Sequence, residues 1–201
     1  MLYVLRHAET THNAEGRIRG MDDPGLTAKG KSEAVSVGKM LNGKVDRVVT
    51  DGMKRTQQTA KIAFPNHTPE IDRGLTTLHV GNYSGKKQTP QIEKQFNENY
   101  VAHPEKKIPG GEAVNDWLPR IKSTYEKYLG QSKRENIAIV THGRPFKAVL
   151  NGFKTDAARE GGVPHLASVV KVGQDRKPRD MKAPNSNPAA PAMKLSKLAR
   201  A

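Results

Sequence analysis

The chain has 201 residues, the length of one large domain or of one domain with a tail, and enough to bury a sizeable core. It contains no cysteine, which excludes a disulfide scaffold, a thiolate metal site and a cysteine nucleophile; this usage and the lack of a secretory signal or membrane span predict a cytoplasmic protein. With 34 Lys and Arg against 20 Asp and Glu, the formal charge of +14 favours anionic partners, while 5% aromatic residues with no basic interleaving argue against a base-stacking surface for nucleic acid.

The first element is an apolar run, Leu2-Tyr3-Val4-Leu5, which reads as a buried strand and stops at Arg6-His7. In open α/β sheets the carboxyl ends of strands are where ligands bind. An imidazole beside a guanidinium suits an anionic substrate, since Arg holds a phosphate bidentately and His attacks it or shuttles protons. Ala8 to Gly25 is a long polar, Gly-rich loop whose Arg17 and Arg19 suit a substrate rim. Thr27 is a good N-cap for a helix carrying Ala34, Val37, Met40 and Leu41 at helical spacing and ending at Asn42-Gly43. Val45 to Thr50 reads as a second strand, and Met53 to Phe64 as a helix with Arg55 in its first turn. A cation there opposes the helix dipole, and an anion bound nearby gives it a reason.

Glu70 to Asp72 is a short strand or link, Gly74 to Gln91 is loop-like, and Ile92 to Val101 suits a short helix. After a second loop, Glu112 to Leu129 forms a long amphipathic helix with Val114, Trp117, Ile121, Tyr125 and Tyr128 inward, interrupted by Pro119. Ile137 to Thr141 is a clear buried strand ending at His142-Gly143, followed by a helix from Pro145 to Phe153 and a last strand within Ser168–Val172. From Gly173 four prolines and few large apolar residues predict a disordered tail. It holds seven basic residues against two acidic ones, and Ala192–Arg200 can form a basic amphipathic helix on an anionic partner.

This order predicts an α/β fold, a three-layer sandwich whose mostly parallel central sheet is flanked by helices. The folded domain spans 1–172 and the tail 173–201. Two strands end in His, and Arg55 follows a third, so two His and two Arg converge on one sheet edge as a phosphate site with its own nucleophile. His7 and His12 have no acidic or third His ligand at useful spacing, so no metal and no cofactor is expected.

Arg6-His7-Ala8-Glu9-Thr10, with Asn13 and Gly16-Arg17-Ile18-Arg19-Gly20, resembles the signature R-H-G-E-T-x-x-N-x-x-G-R-x-Q-G of the histidine phosphatase superfamily, the phosphoglycerate mutase-like group. Leu26–Gly30, Thr50–Ala60, Pro109–Glu112 and Val140–Gly143 resemble its later motifs in the same order. The resemblance implies that His7 attacks phosphorus and becomes a phosphohistidine. It implies that Arg6, Arg55 and His142 hold the phosphoryl oxygens, that Thr10, Asn13, Arg19 and Gly20 help bind substrate, and that Gly143 lets the backbone approach it.

The family's usual Glu, the acid that protonates the leaving group, falls here on Thr77, which is not an acid near neutral pH. His79, Glu9 and Glu112 are the candidate replacements. A substrate with a good leaving group, such as a phosphoramidate or an aryl or acyl phosphate, needs the acid least. Arg19 in place of the pattern's Gln favours a more anionic substrate. The expected activity is hydrolysis of a small phosphorylated molecule, either a phosphomonoester or a phosphoramidate. The alternatives are a weakened phosphate-binding scaffold that works through the basic tail 173–201, and a phosphoglycerate mutase.

Overall fold

Residues 2–5 and 137–140 are apolar without a break because both faces of their strands are covered. In the computed structural model, which describes residues 1–159 and 165–181, they form β1 (Leu2–Arg6) and β4 (Ile137–Thr141), paired in parallel with Arg6 opposite Thr141. β2 (Arg47–Thr50) and β3 (Glu70–Ile71) extend the parallel half beyond β4, and β5 (Val169–Val172) and β6 (Pro178–Met181) add antiparallel strands beyond β1. The order of the described strands is β3-β2-β4-β1-β5-β6. The result is the expected α/β fold with a mixed sheet.

Strand periodicity sorts the core into two halves. Leu2, Val4, Ile137 and Ile139 face one layer, where they meet Trp117, Ile121, Tyr125 and Tyr128 of α5 (Val114–Gln131) and Phe146 of α6 (Gly143–Leu150). Tyr3, Leu5, Ala138 and Val140 face the other, against Ala34, Val37 and Leu41 of α2 (Ala28–Leu41) and Ala60 and Ala63 of α3 (Lys54–Ala63). α5 runs on through Pro119. Within the stretch expected to be loop, Thr11–Ala14 forms α1, started by a reciprocal capping box between Thr10 and Asn13. A seven-residue α4 (Pro90–Phe96) passes into a π-helical turn at Asn97–Val101.

The sheet does not end at Val172, where the sequence suggests irregular chain. Residues 173–177 turn, stabilised by the Asp175–Arg179 ion pair, and β6 pairs along β5 from Val169–Met181 to Val172–Pro178. An edge strand with much of its surface in water needs no apolar alternation, and Pro at its first position removes no ladder bond. Composition therefore hides it. The remainder of the expected tail, 182–201, lies outside the described residues, as does 160–164.

α2 approaches the turn after β1 closely. A Cβ on Gly30 would overlap the backbone carbonyl of Glu9. Gly30→Ala gains helix propensity of about 1 kcal/mol, yet we expect it to lower stability by about 1–3 kcal/mol through overpacking. A thermal melt of the variant that is equal to or above that of the parent chain would contradict this packing.

Candidate active site

The parallel pairing of β1 with β4 and of β4 with β2 lines up three strand ends. Arg6-His7 leaves β1, His142 leaves β4 and Asp51 leaves β2. The backbone N–H of His7 still donates to Thr141, so the nucleophile candidate begins within the sheet itself. Arg6, His7, Arg55, His142 and Gly143 line one recess together with Arg19, Arg144 and Thr77. About 20 Å³ of it is open to the centre of a water-sized sphere, where one water needs roughly 10–15 Å³.

His7 is buried, and its Nδ1 lies 2.8 Å from the Ala8 carbonyl oxygen. A carbonyl only accepts, so Nδ1 carries the proton and Nε2 keeps its lone pair. Burial first, then the charges of Arg55, His142 and Arg6, push the His7 pKa well below 6.5. The ring is therefore neutral at physiological pH, as a nucleophile must be.

His142 has its centroid 5.5 Å from that of His7. Arg55 Nε donates to its Nδ1 at 3.1 Å, so its proton sits on Nε2, 2.6 Å from Asp51. Burial and the Arg55 charge depress the His142 pKa, with Asp51 opposing them. Burial pushes the Asp51 carboxyl up, but His142, the Thr56 hydroxyl and the Met53 N–H outweigh it and bring the pKa to about 2.

Arg55 is fully buried and holds the loop before α2. Its Nη1 donates to the Asp22 carbonyl at 2.7 Å and its Nη2 to the Gly20 carbonyl at 3.0 Å. The anion expected at the start of α3 is Asp23, whose carboxylate accepts the N–H groups of Lys54 and Arg55. Arg6 is buried, and burial with the Arg19 charge lowers its pKa to about 9. The same two causes bring Arg144 to about 9; its Nε donates to the Ala158 carbonyl and its guanidinium lies 5.2 Å from the centroid of the Phe96 ring. Both remain cations at neutral pH, and burial makes an anion beside them favourable.

The remaining expected residues divide. Thr77 and Arg19 line the recess. Arg19 Nη1 is anchored on the Arg17 carbonyl and Gln88. Thr10 and Asn13 bond to each other, and Gly20 serves Arg55 through its carbonyl. None of the three candidate proton donors lines the recess. Glu9 is tied to Thr27 and Lys29. Glu112 pairs with Arg120 and accepts the backbone N–H of His79, whose carbonyl in turn accepts the N–H of Glu112. Arg120 also binds the carbonyls of Gly74 and Thr76. Glu112 thus pins the backbone on both sides of Thr77. Two residues escape the sequence reading. Asp51 is signalled by its place after β2, on the same edge as the two histidines. Arg144 is signalled by the argument applied to Arg55, a cation in the first turn of a helix.

Two histidines and four arginines thus line one recess at the edge of an α/β sheet, and the His7 imidazole among them is neutral. The sequence profile of the histidine phosphatase superfamily (branch 1) matches residues 2–187, and the chain belongs to that family. It is 31% identical over 158 residues to a metal-independent phosphoserine phosphatase of Arabidopsis thaliana, a match covering 74% of this chain and 66% of that protein. It is 29% identical over 170 residues to phosphoglycerate mutase-like protein 4 of the same plant, covering 79% and 73%. The crystal structure of a phosphoglycerate mutase from Thermus thermophilus superposes with a TM-score of 0.69 at 25% identity, over 89% of this chain and 95% of that one.

The two depressed histidines set the response to acid. Each is neutral in the fold, whereas an unfolded His takes up a proton below its ordinary value of about 6.5. Unfolding therefore binds protons below that pH, and stability falls as pH drops. Asp51 acts in a lower window. Its contribution is complete above 3.8 and is lost towards about 2. We expect a lower urea midpoint at about pH 5 than at about pH 7, with a smaller difference in His7→Gln. Equal differences in the two proteins would contradict the buried neutral state of His7.

Proposed function

We propose that the protein is a phosphatase that works through a phosphohistidine on His7. The observation that carries this reading is the Nδ1 bond of His7 to the Ala8 carbonyl, which leaves Nε2 unprotonated on a residue lining a recess of four arginines. Nε2 attacks the phosphorus, and the leaving group departs with the electron pair of its bond. Water then attacks the phosphohistidine and returns His7 to its starting state. Arg6 and Arg55 neutralise the phosphoryl oxygens as charge builds. Asp51 and Arg55 fix the His142 ring and its tautomer from both sides. The substrate is a phosphomonoester or a phosphoramidate that offers its phosphoryl end to the recess.

p-Nitrophenyl phosphate should be turned over without added metal, and His7→Ala should reduce kcat/KM by at least about 10³-fold. Rapid quench with a labelled substrate should trap an acid-labile, base-stable phosphoprotein that His7→Ala cannot form. Unaltered turnover in His7→Ala would remove His7 from the chemistry. Conversion of 3- to 2-phosphoglycerate faster than phosphate release would favour the mutase.

A further inference from the structure

Two loop segments meet beside the recess. The backbone N–H of Ile18 donates to the Lys86 carbonyl at 2.9 Å, that of Gly85 to the Ile18 carbonyl at 3.0 Å, and that of Gln88 to the Gly16 carbonyl at 2.8 Å. These main-chain bonds bring Gln88 to Arg19. Gln88 Oε1 accepts from Arg19 Nη1 at 3.2 Å, and Gln88 Nε2 donates at 2.6 Å to Glu93 Oε1, in the first turn of α4. An amide has one accepting end and one donating end, a guanidinium only donates and a carboxylate only accepts. Glu93 therefore fixes which end of Gln88 meets Arg19.

The hydrogen bonds distinguish Arg19 from Arg55. Every nitrogen of Arg55 already donates: Nε to His142, Nη1 to the Asp22 carbonyl and Nη2 to the Gly20 carbonyl. Arg19 lines the recess and uses only Nη1, on the Arg17 carbonyl at 2.7 Å and on Gln88. Among the described residues its Nε and Nη2 donate to nothing, neither is shut off from solvent, and it has no ion-pair partner. Nε and Nη2 make the side of a guanidinium that offers two parallel N–H groups, the fork that matches two oxygens of one anion. Both anchors of Nη1 are neutral acceptors, so they hold the group without neutralising it.

We propose that Arg19 grips an oxyanion of the substrate through Nε and Nη2, and that Gln88, oriented by Glu93, is the positioning residue that holds Arg19 for this grip. The oxyanion is a phosphoryl or a carboxylate group, since either presents two oxygens to the fork. The proposal rests on the phosphatase reading for the fate of the anion and not for its binding.

The test measures kcat and KM of the full chain for p-nitrophenyl phosphate, O-phosphoserine and O-phosphoethanolamine. Titration calorimetry adds Kd for inorganic phosphate and O-phosphoserine. Arg19→Met should raise KM and Kd by about 10-fold or more, the loss of bonds to a charged group, and Gln88→Leu should raise them by about 5-fold or more, each with a smaller change in kcat. A merely structural role of Gln88 would lower the active fraction, and with it kcat, while KM and Kd stayed at their parental values. Added to Arg19→Met, Gln88→Leu should cost no further affinity, because it acts through Arg19. A loss shared by inorganic phosphate and all three esters puts the phosphoryl group on Arg19, and a loss confined to O-phosphoserine puts its carboxylate there; either supports the grip. Parental KM and Kd in Gln88→Leu, an equal further loss in the double variant, or no binding of either probe by the parent chain would overturn it. His7-dependent turnover with unaltered affinities leaves the phosphatase reading standing without the grip. Weakened binding in Gln88→Leu with no turnover of any ester does the reverse.

Discussion

A guanidinium withdrawn from water must give its N–H groups acceptors, or the fold bears the cost of a buried charge. Arg55 meets that demand by reaching two separate parts of the chain: the carbonyls of Gly20 and Asp22 in the loop before α2, and Nδ1 of His142 at the end of β4. Its own backbone N–H, at the start of α3, is taken by Asp23. One side chain thereby fixes the rim loop, the start of a helix and the tautomer of a histidine. The geometry of the recess follows from the requirement that this cation be satisfied.

Asp51 is the buried carboxylate behind the recess, and it is already committed to His142 and Thr56. Arg6, Arg19, Arg55 and Arg144 line the recess. Burial lowers the pKa of Arg6 and of Arg144 to about 9, because each sits near other cations with little solvent to screen them. The low pKa of His7 has the same origin, burial first and then the neighbouring cations.

The sequence reveals β1 and β4 because strands covered on both faces are apolar throughout, and the polar residue that ends such a run marks the sheet edge. Arg6, His7 and His142 are legible for that reason. Arg55 is legible as a cation in a first helical turn, although the anion beside it proves to be Asp23. Arg144 carries the same signal, but Gly143 and Pro145 on either side of it blur where its helix starts. β6 is illegible because its contacts are ladder bonds, which have no side-chain signature. Glu9 and Glu112 look available in sequence because their partners lie 18 and 8 residues or more away; folded, both are structural carboxylates.

The segment around Thr77 is held by its neighbours and not by its own side chain. Arg120 grips the Thr76 carbonyl, Glu112 grips both backbone groups of His79, and Gly81 and Gly111 pack so closely on facing main chain that neither has room for a Cβ. A side chain mounted on such a frame is interchangeable in a way that His7 or Arg55 is not. Position 77 behaves as a socket: the scaffold on either side of it, and not its occupant, fixes where the chain runs past the recess.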